Sequence, residues 1–195
     1  MIRSFVRKAV PSALIVVLTL LSITTTAMAG VSLINLRKTN SPGSTLVTRI
    51  TLNMPSSIPA GSICLAQIAT SGDNYMTPLA GWTHVRADIN GHQGTQDLYW
   101  HLTGASEPAS YTWNPGNSGW TSQVFFEGVI ACYSGVNTVT PIDPGAPSGS
   151  GAIGNGTSIT APSITTQTPG DLLVAVFHVV EASWGRALPL RCHLR

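Results

Sequence analysis

The chain has few residue patterns that could do chemistry, and each can be weighed by what its chemistry requires. Six aromatic residues, Trp82, Tyr99, Trp100, Tyr111, Trp113 and Trp120, fall within forty positions. On a β-sheet such rings either fill a core or stand on a face and stack on sugar rings. Trp100, Trp113 and Trp120 are the candidate stacking residues, and Trp120 beside Asn117-Ser118-Gly119 is expected in or near a loop. Eight acids could supply a pair for glycoside hydrolysis; Glu107 and Glu127 are the only glutamates before Glu181, and nothing in the sequence fixes their separation. Glu107 precedes Pro108, so a solvated turn acid is the expectation. The histidines show no metal-ligand spacing, and His84 and His101 are expected as a polar cross-strand pair.

Gly149-Ser150-Gly151-Ala152-Ile153-Gly154 fits G-x-G-x-x-G, with Asp171 downstream. That motif binds a dinucleotide only between a strand and a helix N-terminus. Here a Pro/Ser-rich run precedes it and a Thr-rich run follows, so no cofactor is expected. H-E-x-x-H, G-x-S-x-G and the P-loop are absent. No catalytic residue, metal site or cofactor is assigned.

Cys64 and Cys132 lie in apolar strand-like runs. They either form a disulfide or remain buried small hydrophobes, because spacing alone does not bring two Cβ atoms within bonding distance. The third cysteine, Cys192, lies in the tail, and no C-x-x-C occurs.

Residues 1–29 read as a cleavable secretory signal. Arg3, Arg7 and Lys8 supply the basic start, the apolar stretch is densest from Ala13 to Leu21, and Ala27-Met28-Ala29 gives the small-residue cleavage site. The apolar stretch is shorter than the ~20 residues of a spanning helix. Export permits a disulfide. Cleavage would leave seven basic against eight acidic residues, a formal −1 where the full chain carries +2. No basic patch remains, so nucleic acid is not an expected partner. No later segment is long and apolar enough for a spanning helix. An extracellular glycan or a surface protein is the expected partner class.

The elements that position these residues read as strands. Charged residues make up 9% of the chain, against about 25% in average domains. Short runs rich in Val, Ile, Thr, Tyr and Trp alternate with Gly, Pro, Asn and Ser clusters, the pattern of sandwiches and barrels. Strands are predicted over Val31–Leu36, Thr45–Leu52, Ser62–Ala69, Trp82–Asp88, Gln96–Thr103, Ser110–Trp113, Gln123–Tyr133, Thr157–Ile164 and Asp171–Val180. Asn90-Gly91 favours positive φ and predicts a hairpin between the fourth and fifth. Strict alternation would place Trp82, His84 and Arg86 on one face. Pro141 to Gly156 reads as a surface loop.

Several strings, in order, carry a family resemblance. They are Ala80-Gly81-Trp82-Thr83-His84-Val85-Arg86, Leu98-Tyr99-Trp100-His101, Glu107-Pro108-Ala109-Ser110-Tyr111-Thr112-Trp113 and Ile130-Ala131-Cys132-Tyr133-Ser134-Gly135-Val136. Pro141-Ile142-Asp143 and Gly170-Asp171-Leu172-Leu173-Val174-Ala175 follow. Together they resemble a β-sandwich module that recurs in exported bacterial proteins and in phage tail or surface proteins. The resemblance spans roughly Ser44 to Val180. It implies an all-β, antiparallel sandwich of jelly-roll or immunoglobulin-like type, and no catalytic residues.

The expected organisation is a signal peptide over 1–29, a β-sandwich domain over 30–185 and an atypical basic tail over 186–195. Three of the seven basic residues after residue 29 lie in that tail. The abrupt change of composition near Ser183 predicts a shifted or truncated reading frame. The expected function is non-catalytic surface binding or adhesion, with a glycan as candidate ligand. The alternatives are a structural subunit of an envelope or tail-like assembly and, least favoured, an extracellular hydrolase.

Overall fold

A computed structural model describes residues 30–41, 47–72, 74–90, 94–114, 125–145 and 161–178. Residues 1–29, read above as a signal peptide, the G-x-G-x-x-G string, Trp120 and residues 186–195 lie outside the described residues. The described chain is all-β. Its strands are β1 (Ser32–Asn40), β2 (Ile50–Asn53), β3 (Ile63–Ser71), β4 (Thr83–Ile89), β5 (Gly94–Leu102), β6 (Ser110–Trp113) and β7 (Phe126–Ser134). They form a five-stranded antiparallel sheet, ordered β1-β7-β3-β5-β4, and a two-stranded sheet of β2 and β6. The two sheets pack as a β-sandwich.

The core lies between them. Ile50 and Leu52 from β2 and Trp113 from β6 pack on Cys64, Ala66 and Ile68 of β3, Tyr99 of β5, and Ile130 and Cys132 of β7. These positions alternate along each strand, which sets one face of the large sheet inward. Gly128 permits close approach of Leu52 from the small sheet. A Cβ there would overlap Leu52 Cδ2 and stand 3.0 Å from Cδ1.

Cys64 and Cys132 face each other in the β3–β7 register and form a disulfide, with Cα atoms 4.1 Å apart. The bond therefore links adjacent central strands of one sheet, and both residues are fully buried.

The opposite, outer face of the large sheet is also apolar over much of its area. Leu36, Ala131, Leu65, Trp100 and Thr83 form one row across all five strands, and Leu33, Tyr133, Ile63 and Leu102 form the row beside it. The segment 161–178 reaches this face, where Gln67 Nε2 donates to Phe177 O at 3.3 Å.

Two expectations change. The described parts of Thr157–Ile164 and Asp171–Val180 are not strands. Their apolar residues are half-buried or exposed, Leu173 at 51%, and an apolar run can lie along a sheet face without a ladder of hydrogen bonds. The alternation expected for β4 also breaks. A bulge between His84 and Arg86 sets two residues against one on β5. His84 therefore stays inward beside Tyr99, while Arg86 shifts to the outer face opposite Leu98.

Candidate functional site

The polar chemistry gathers around β5, whose two faces carry different equipment. Asp97, Tyr99 and His101 point inward, and Gln96, Leu98, Trp100 and Leu102 point outward, as the β3 and β4 registers require.

At the end of β5 the chain turns through residues 103–109 into β6, and Glu107 closes that turn. Gly104 N donates to Glu107 Oε1 at 2.6 Å. His101 Nε2 lies 3.1 Å from each carboxylate oxygen, and the Tyr111 hydroxyl donates to Oε2. His101 Nδ1 is 2.7 Å from Gly81 O. A carbonyl can only accept, so Nδ1 carries hydrogen. The other ring nitrogen, Nε2, faces the Glu107 carboxylate. Burial raises the Glu107 pKa, but hydrogen bonds from Tyr111, Gly104 and His101, with the His101 charge, outweigh it and hold the carboxyl below its ordinary value. Burial, then the bond to Glu107, raise the Tyr111 phenol.

Trp82 roofs this network. Its ring stacks on His101 with centroids 5.1 Å apart and meets Tyr111 and Trp113 edge-on at 5.2 and 5.3 Å. Gly81, with φ of +82°, supplies the left-handed turn that delivers Trp82 inward.

A second group sits two residues back along β5. The Asp97 carboxylate is buried, accepts from Met76 N at 3.1 Å, and pairs with His84 Nε2 at 3.1 Å. Tyr99 OH donates to Met76 O at 2.9 Å. Two side chains of β5 thus hold both backbone groups of Met76. Burial pushes the Asp97 carboxyl up to about 6, against the lowering effects of the Met76 N–H and of His84.

The residues singled out from sequence land in different places. Trp113 is fully buried at the centre of the core and presents no ring face to solvent. This corrects its place among the stacking candidates: its indole fills the inter-sheet space with Trp82 and Tyr99. Trp100 is half-buried on the outer face. His84 and His101 do not pair with each other, and each takes a separate carboxylate. Glu107 is a half-buried, fully engaged group rather than a solvated one. Glu127 lies on β7, opposite Asn40 and Ala69. Its pKa is raised by burial and partly offset by Lys38. Among the described residues, no group of three or more His, Cys, Asp or Glu side chains could hold a metal ion.

Sequence reading missed two pairings, one of which had a local signal. Arg86 and Asp88 form a two-point ion pair on the outer face, with Arg86 Nε donating to Asp88 Oδ2 at 2.9 Å and Nη2 to Oδ1. Their i, i+2 spacing on a strand was a signal for a shared face. The Asp97–His84 pair left no local signal, because it depends on the β4–β5 register.

No family model, curated protein or solved structure matches the chain.

Proposed function

We propose that this chain is a secreted, non-catalytic β-sandwich module for binding or adhesion at an extracellular surface, with a glycan as the ligand class. The observation that carries the reading is Trp100, a half-exposed indole on the outer face of a broad antiparallel sheet. A ring held there by strand backbone offers a flat apolar platform with little conformational entropy to lose. Secretion is supported by the signal-like N-terminus and by the Cys64–Cys132 disulfide, a bond suited to an oxidising compartment. The non-catalytic part is supported by Glu107. Both of its oxygens accept hydrogen bonds and its pKa is lowered, so it is poorly suited to act as a general acid.

A second reading, a structural subunit of an assembly, is favoured by β1. That edge strand has a bulge between Leu33 and Asn35, which places Leu33 and Leu36 on the same outer face. They are 39% and 42% exposed, an apolar pair at a sheet edge that pairs on one side only.

A glycan microarray probed with the chain beginning at Gly30 tests both. Retention on glycan spots that is lost in Trp100→Ala is the expected result. Concentration-dependent self-association in light scattering, with no glycan retained, would replace the first reading with the second.

A further inference from the structure

We infer that the ligand is a neutral oligosaccharide, laid along the outer faces of β4 and β5 from Trp100 towards Asp88. The inference rests on the glycan reading above and adds the chemical class and the track.

The track follows from register. Trp100 sits opposite Thr83, Leu98 opposite Arg86, and Gln96 opposite Asp88. The outer face of this strand pair therefore runs from an aromatic platform, past an aliphatic step, to a polar end. Trp100 lies four residue steps from Gln96, about 13 Å of strand, which suits several sugar rings better than one. The side chains along it are half-exposed or exposed. The 161–178 segment reaches the face at Gln67 on β3, whose amide also bonds Gln96. That bond draws Gln96 Oε1 towards β3.

The class follows from charge. Arg86 and Asp88 are the only charged side chains on the outer faces of β4 and β5, and they neutralise each other. Two of the guanidinium's five N–H donors go to Asp88. A uronic or sialic acid would have to displace Asp88 from Arg86 or sit beside an uncompensated carboxylate. A neutral sugar needs neither. Its hydroxyls can donate to Asp88 and exchange bonds with the Gln96 amide and Thr83 hydroxyl, while one ring face covers Trp100.

Titration calorimetry on the chain from Gly30, with cellohexaose, laminarihexaose and hexagalacturonate as probes, tests this. At least one neutral hexamer should bind about tenfold or more tightly than hexagalacturonate. Trp100→Ala should weaken the neutral hexamer about tenfold or more, and Trp100→Phe should weaken it less, since a ring remains. Asp88→Asn frees the Arg86 charge and should raise hexagalacturonate affinity roughly tenfold. Preference for hexagalacturonate in the unmodified chain, still dependent on Trp100, would overturn the neutral class and leave the glycan reading standing. Binding of no probe, or equal binding by Trp100→Ala with native near-ultraviolet dichroism, would overturn both.

Discussion

Asp97 shows how one buried group can set a pH dependence. Its carboxyl is raised to about 6 because burial disfavours the charged form. The unfolded value is about 3.9. The folded state therefore holds the proton more tightly, so the Asp97 contribution is greatest below pH ~4 and is lost as pH rises through about 6. The difference between the folded and unfolded values corresponds to about 3 kcal/mol. Asp97→Asn keeps an acceptor for Met76 N and offers an N–H to His84 Nε2 without a charge. Urea unfolding at pH 8 should show the variant about 1–3 kcal/mol more stable, with the two proteins alike near pH 4. Glu107 works in the opposite sense, because its lowered pKa favours folding above about pH 4 and loses that effect as pH falls. Comparing variant with parent at each pH cancels that contribution. If the difference between them is the same at pH 4 and pH 8, Asp97 is not the titrating group.

At the element scale, the strand pattern was largely legible and the ladders were not. All seven described strands overlap predicted ones, because β-branched and aromatic runs between Gly/Pro/Asn clusters mark pleated, half-buried chain. The bulges at Ile34 and Val85 left no mark in composition, yet each changes which residues share a face. Arg86 moved outward for that reason alone. The aromatic cluster was legible as a cluster, but its split between core Trp113 and outer Trp100 depended on which faces of β6 and β5 meet between the sheets. Gly128 was equally silent in the sequence. Its missing side chain is the space Leu52 occupies, so Gly128→Ala overpacks the β2–β7 contact. The expected cost is about 1–3 kcal/mol. Leu52→Ala alone should cost about 2–5 kcal/mol through the cavity it leaves. The double variant should be more stable than the sum of the two predicts, since the added methyl enters the vacated space. Denaturant midpoints for the four proteins give the coupling, and strict additivity would show that the two side chains do not compete for one volume.

For the whole molecule, the large sheet is the organising unit, and β3 and β7 are its middle. Every other strand of that sheet pairs with one of them or one step away. The small sheet covers the inner face at the Leu52–Gly128 contact, while the outer face meets a segment that forms no ladder strand. Cohesion therefore depends heavily on the pairing of β3 with β7, where the Cys64–Cys132 bond lies. The two cysteines are 68 positions apart in sequence. Cross-linking a chain over that span removes about 4 kcal/mol of unfolded-state freedom in the chain-entropy account. A domain of this size commonly has ~5–15 kcal/mol of net stability. Cys64→Ala/Cys132→Ala should then lower unfolding free energy by about 2–4 kcal/mol while leaving the β-sheet dichroism in place. Both alanines fit where small buried groups already pack, so the loss should come mainly from the missing link. Adding reductant to the unfolded parent before refolding should reproduce the same loss, and adding it to the double variant should change nothing. Equal stability of parent and double variant, with peptide mapping confirming the bond in the parent, would show that sheet packing alone holds the two central strands together.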